Sequence, residues 1–135
     1  MNGYLLDTNH LGQAIRRDSP VRQRLEQGRL AGLRFATCIP VLCELEVGIQ
    51  QVRRPEEYRR NLRVLLKHVR VWPIDLETAR IYGEINQRLR QIGRALSQVD
   101  QMVAALARQM SVKILTTDRD FEALPEVKTE NWTLS

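Results

Sequence analysis

Cysteine and histidine are scarce in this chain: among its 135 residues there are two of each. Cys38 and Cys43 stand five apart, so no Cys-x-x-Cys pair exists, and His10 and His68 are the only imidazoles. A zinc site, which draws on thiolate and imidazole, has poor support. Two buried free thiols in a cytoplasmic protein are the plain reading of the cysteines. Also missing is any apolar run of about 18 residues, so neither a transmembrane helix nor a membrane partner is expected. Met1-Asn2-Gly3 is uncharged and the apolar stretch after it breaks at Asp7, which argues against a signal peptide. No internal repeat, low-complexity stretch or Gly/Ser linker divides the chain. One domain over residues 1–135 is expected, long enough to bury a core without staples.

What is present is charge, with a formal balance of +5. Arg53, Arg54, Arg59, Arg60 and Arg63 crowd one stretch, and Arg88, Arg90 and Arg94 another. Guanidinium forks match phosphate oxygens, so a nucleic-acid partner is one reading. A solvated helix face, with Glu56 and Glu57 as local partners, is the other.

The hydropathy pattern alternates between short apolar runs and amphipathic stretches. Strands are expected at 3–7, 34–38, 69–74 and 112–116, with a further edge strand between 126 and 132. Helices are expected at 8–17, 19–30, 40–52, 55–68, 76–92 and 98–110, with a short one from about 118. Ser19-Pro20 and Asp75 mark helix starts and Gly93 a stop. Such alternation predicts an α/β domain with a mainly parallel sheet, whose ligands sit beyond the carboxyl ends of the strands.

Four acidic residues border the apolar segments. Asp7 ends the first expected strand and Asp118 follows the fourth, both at the ligand end. Glu44 and Glu46 flank the apolar face of the helix from Pro40, and Gly48 opens space on the Glu44 side, which favours Glu44 for a site and Glu46 for solvent. Asp100 shares a helix face with Val103, Ala104 and Ala107, where a carboxylate is rarely buried without a partner. Each has a structural alternative. Asp7 or Thr8 can cap a helix, and Ser97 with Asp100, or Thr117 with Asp120, fits a capping box. If Thr117 and Asp120 form that box, Asp118 is spare. Asn9 can point into the same region or be a first-turn helix residue. Together the four carboxylates form a cage of oxygen ligands, which suits hard cations such as Mg²⁺ or Mn²⁺.

Leu5-Leu6-Asp7-Thr8-Asn9, Glu44-Leu45-Glu46-Val47-Gly48, Asp100 to Ala107 and Thr116-Thr117-Asp118-Arg119-Asp120-Phe121 resemble, in that order, the motifs of the PIN domain. Length and spacing are most similar to VapC toxins of toxin–antitoxin pairs, and Glu130-Asn131-Trp132 resembles the way such chains close. The resemblance implies a three-layer α/β/α sandwich around a mainly parallel sheet of about five strands. It implies a Mg²⁺- or Mn²⁺-dependent endoribonuclease with Asp7, Glu44, Asp100 and Asp118 as the acidic set. Asp7, Asp100 and Asp118 would hold metal, and Thr8, Asn9, Thr117 and Asp120 would support them; Asp120 stays an alternative to Asp118. An RNA substrate, a homodimer and a VapB-type antitoxin that blocks the site are implied as well. Two rivals remain: a PIN-like RNA-binding module without catalysis, and a haloacid-dehalogenase-like phosphatase. The latter needs Asp-x-Asp, where this chain has Asn9 in the third position.

Overall fold

A computed structural model describes residues 2–133. Met1, Leu134 and Ser135, which the one-domain expectation includes, lie outside the described residues, as does the Met1 part of the signal-peptide argument. The elements run β1 (Gly3–Leu6), α1 (Thr8–Ile15), α2 (Pro20–Leu30), β2 (Arg34–Cys38), α3 (Ile39–Ile49) and α4 (Pro55–Leu65). Then follow β3 (Arg70–Trp72), α5 (Leu76–Gln91), α6 (Gln98–Met110), β4 (Lys113–Leu115), a 3-10 turn (Arg119–Ala123) and β5 (Thr129–Glu130). The expected helices and strands are all present, most of them shorter by one to three residues at an end.

The strands form one five-stranded sheet in the order β3-β2-β1-β4-β5, and every pairing in it is parallel. Helices on both faces complete a three-layer α/β/α sandwich. Burial on both faces explains why β1 and β4 read as continuous apolar runs rather than alternating ones. Leu5, Leu6, Ile114 and Leu115 are fully buried. The chain steps outward from β1 to β2 and β3, then crosses back to β4 on the other side of β1. That reversal leaves a crevice between the carboxyl ends of β1 and β4, where open parallel sheets bind their ligands.

Local chemistry sets the helix ends. Ser19 caps α2, with Pro20 as its first residue. Asp75 and Thr78 close a capping box on α5, and Gly93, at φ +67°, ends that helix in a conformation that L side chains rarely adopt. Gly28 serves packing instead: a Cβ there would lie 3.0 Å from the Phe35 ring.

The last segment is pinned as well. Tyr4, Phe35 and Trp132 pack ring against ring at centroid distances of 4.9 to 5.7 Å. The Trp132 backbone N–H donates to His10 Nε2 at 2.9 Å. Glu130 accepts from Tyr4, Lys113 and Trp132. No helix among the described residues is long and apolar enough to cross a membrane.

Candidate metal-dependent active site

Asp7 leaves β1 and caps α1. Its Oδ1 accepts from the Thr8 N–H at 2.8 Å and its Oδ2 from Thr116 Oγ1 at 2.9 Å. Its backbone N–H donates to Leu115 O, which continues the β1–β4 ladder into the crevice. Only 8 % of the residue is exposed. Burial raises its pKa; the two hydrogen bonds oppose the rise, and the charges of Glu44 and Asp118 add to it.

Asp7 is thus a helix cap whose carboxylate also faces the crevice charges of Glu44 and Asp118. At Asp118 the structure corrects the expected capping pattern. Thr117 is not the cap of the turn that follows β4. Asp118 is, with Oδ1 accepting from the Asp120 N–H at 2.8 Å. The spare carboxylate is thus Asp120, which is exposed. Thr117 instead accepts from Asn9 Nδ2 at 2.8 Å, tying the start of α1 to the end of β4 across the crevice.

Asp100 arrives from the other direction. Because α6 leads into the amino end of β4, its own first turn lies at the carboxyl end of the sheet. Ser97 Oγ accepts from the Asp100 N–H at 3.1 Å and sets the helix start; this is a simple N-cap, with no reciprocal bond from Asp100 among those described. The carboxyl is half-buried and its pKa is pushed up to about 7. Burial is the first cause, then the charge of Asp7, then a hydrogen-bond contact and the charge of Asp118. A helix first turn ordinarily favours a negative charge, so the upward shift measures how strongly the crevice opposes it.

Glu44 stands exposed on α3, and Thr8 Oγ1 donates to its Oε1 at 2.7 Å. Glu46 is not left to solvent as expected. It is half-buried, and Arg59 donates Nε and a terminal nitrogen to its two oxygens at 3.2 and 3.3 Å, joining α3 to α4. The cysteines also divide. Cys38 is buried, with its thiol pushed up to about 11, first by burial. Cys43 is exposed, contrary to expectation.

Thr116 is the residue that the sequence did not single out. It is buried, donates to Asp7 and accepts from the Asp118 N–H at 3.0 Å. One hydroxyl thus fixes the first and last carboxylates relative to each other. Its only sequence signal is its place at the end of β4. Beside the carboxylates lies a cleft of about 440 Å³, whose lining includes Asn9, Gly12, Gln13, Arg16 and Tyr58. It supplies one cation and one aromatic ring next to the acids.

The donor set is carboxylate and hydroxyl oxygen, which suits a hard divalent cation. Burial is the first cause of the raised Asp7 and Asp100 pKa values, and neighbouring carboxylates add to it. Among the described residues, no three His, Cys, Asp or Glu side chains are close enough to form a ready-made metal cage. The fit thus lies in donor chemistry and convergence, not in a finished coordination sphere.

The family model for the PIN domain matches residues 4–127. The tRNA(fMet)-specific endonuclease VapC of Shigella flexneri is 33% identical over 138 residues, spanning 96% of this chain and 97% of that protein. VapBC2 from Rickettsia felis, solved bound to a DNA fragment from its promoter, is similar at a TM-score of 0.86 and 24% identity, covering 96% of this chain and 98% of the other. DNA-bound VapBC from Salmonella typhimurium gives a TM-score of 0.82 at 24% identity, covering 98% and 99%.

Proposed function

The chain belongs to the PIN-domain family, with VapC ribonucleases among its relatives, and from that premise we propose that it is a Mg²⁺- or Mn²⁺-dependent endoribonuclease. In this reading it is the toxin of a VapBC-type pair and is held inactive by a VapB-type antitoxin. The observation that carries the proposal is the convergence of Asp7, Asp100 and Asp118 at the β1/β4 crevice, where the charges of Asp7 and Asp118 add to the raised pKa of Asp100 and that of Asp118 to the raised pKa of Asp7.

Asp7, Asp100 and Asp118 would hold the cation. When bound, it supplies an activated water and neutralises charge on the scissile phosphate. The protein's own part is positioning. Thr116 and Thr8 fix the two Asp7 oxygens. Glu44, held by Thr8, is placed to orient a water or accept its proton. Asn9, held by Thr117, offers its amide at the mouth of the site. Arg16, in the adjoining cleft, offers a guanidinium to a neighbouring phosphate. A homodimer is part of the proposal.

The test is cleavage of RNA by the purified chain with Mn²⁺. Cleavage that stops with EDTA and returns with added Mn²⁺ is the expected result. Asp7→Asn should reduce the rate about a hundredfold or more while the circular dichroism stays unchanged. Cleavage that persists in EDTA, or wild-type rates in Asp7→Asn, would refute the mechanism. A phosphatase is disfavoured because position 9 is an amide that cannot act as the second acid.

A further inference from the structure

The amino ends of β2 and β3 carry a second concave feature, at the opposite end of the sheet from the carboxylates. A cavity of about 380 Å³ there has Arg29, Arg34, Lys67, His68 and Arg70 on its rim. Three separate parts of the chain supply them. Arg29 ends α2, Arg34 opens β2, and Lys67, His68 and Arg70 come from the turn into β3 and its first residue. The register that sets Ala36 opposite Arg70 leaves Arg34 two residues nearer the amino end than Arg70, on the neighbouring strand.

Acidic partners are nearly missing from this rim. Among the described residues, Glu26 bonds Arg29, but it is shared with Arg22. Among the described residues Arg34, Lys67 and Arg70 take part in no ion pair; neither do Arg60, Arg63, Arg88 and Arg90 elsewhere, so what sets the rim apart is convergence on one cavity. The Nε of Arg29 is buried with no acceptor among the described residues. The lining between these cations includes the part-exposed Leu33 and Leu66, with Phe35 and Val69 almost wholly buried. Cations that converge with one shared carboxylate among them, beside a floor of part-exposed leucine surface, match a nucleotide, with phosphate at the rim and base or ribose on the floor.

We propose that this cavity anchors RNA backbone phosphates away from the bond that is cut, so that the enzyme favours RNA long or folded enough to reach both ends of the sheet. The proposal rests on the ribonuclease reading above. The cutting site offers a polyanion one guanidinium, Arg16, beside its carboxylates, so further cations elsewhere on the surface add to affinity for RNA. The separation is suitable: β2, which spans it, has five residues, or about 16 Å at strand rise. One RNA strand covers that distance with a few nucleotides. An acidic peptide would meet the same cations but has no base for the floor.

The deciding variant is Arg34→Glu with Arg70→Glu, two exposed positions outside the cutting site, with unchanged thermal melting as the folding control. Steady-state cleavage with Mn²⁺ is measured on a long folded RNA and on an oligonucleotide too short to span both ends. For the folded RNA, KM should rise about tenfold with kcat unchanged, and the slope of log KM against log salt should fall by about 2, one per arginine. The short RNA should show no change, and Arg34→Lys with Arg70→Lys should restore much of the loss. An unchanged KM on folded RNA, an equal change on both RNAs, or a loss confined to kcat would each overturn the anchor. Metal-free anisotropy with the same folded RNA separates this proposal from the ribonuclease reading. If the wild type cuts nothing but the double variant binds RNA about tenfold more weakly, the cavity stands and the catalytic reading fails. Equal binding by both proteins, or displacement of the RNA by an acidic peptide at lower concentration, overturns the cavity as an RNA site.

Discussion

Half-buried Asp100 and fully buried His10 have pKa values pushed in opposite directions, with opposite consequences for stability. Asp100 binds its proton more tightly in the folded chain, at about 7, than in the unfolded one. Its contribution is present at low pH and is lost as pH rises from about 4 through 7. In EDTA, Asp100→Asn should therefore be more stable than wild type at pH 8, by about 1–2 kcal/mol after discounting for the solvent-facing half of the group. Urea melts at pH 5 and pH 8 test this; a variant no more stable than wild type at pH 8 would remove the electrostatic argument. His10 behaves inversely. Burial lowers its pKa to about 4, and Nε2 is occupied as an acceptor from Trp132. Its contribution is present above about 6.5 and is lost as pH falls toward 4, by about 2–3 kcal/mol. His10→Gln, which keeps a hydrogen-bonding side chain, should flatten that acid limb. An acid limb as steep as wild type would assign the effect to another group.

At the scale of elements, the site depends on where helices begin. Asp7 begins α1, Asp118 begins the 3-10 turn, and Asp100 lies in the first turn of α6. Three of the four acids are thus positioned by helix starts aimed at one crevice. Ser97 holds the α6 start, so Ser97→Ala should lower stability by about 1 kcal/mol. It should also lower kcat, because Asp100 loses its fixed turn. Denaturant melts and single-turnover cleavage read the two effects separately. A stability loss without any rate change would mean that Asp100 is held by packing alone. The element boundaries were legible wherever a local device marked them: Ser19-Pro20, Asp75 and Gly93 did so. The 3-10 turn was misread in detail because Thr117 and Asp118 are both good caps, and sequence gives no means of choosing. Thr117 was already engaged by Asn9, 108 residues away.

Across the whole molecule, the two ends of the sheet carry opposite charge around their cavities. Asp7, Asp100 and Asp118 meet at the carboxyl end of the sheet, while Arg34 and Arg70 at the amino end take part in no ion pair among the described residues. A cation bound only by the folded state stabilises it by mass action, by about 2.7 kcal/mol at a hundred times its dissociation constant. Mn²⁺ should therefore raise the melting temperature of the wild type at pH 8, and raise that of Asp7→Asn much less. Equal shifts in both proteins would place the ion elsewhere.

By itself, the sequence determined the α/β alternation, the parallel sheet, and which carboxylates stand beside apolar strands. These follow from local periodicity and capping, which are written in contiguous residues. Only the tertiary structure decided how those groups meet. The chain's reversal at β1 sets Asp7 beside Asp118. Thr116 bridges that pair, Arg59 takes Glu46 while Thr8 bonds Glu44, and Cys38 is buried while Cys43 is exposed. Such choices depend on contacts between residues far apart in the chain. Periodicity can indicate which face of an element is buried, but not what will lie against it.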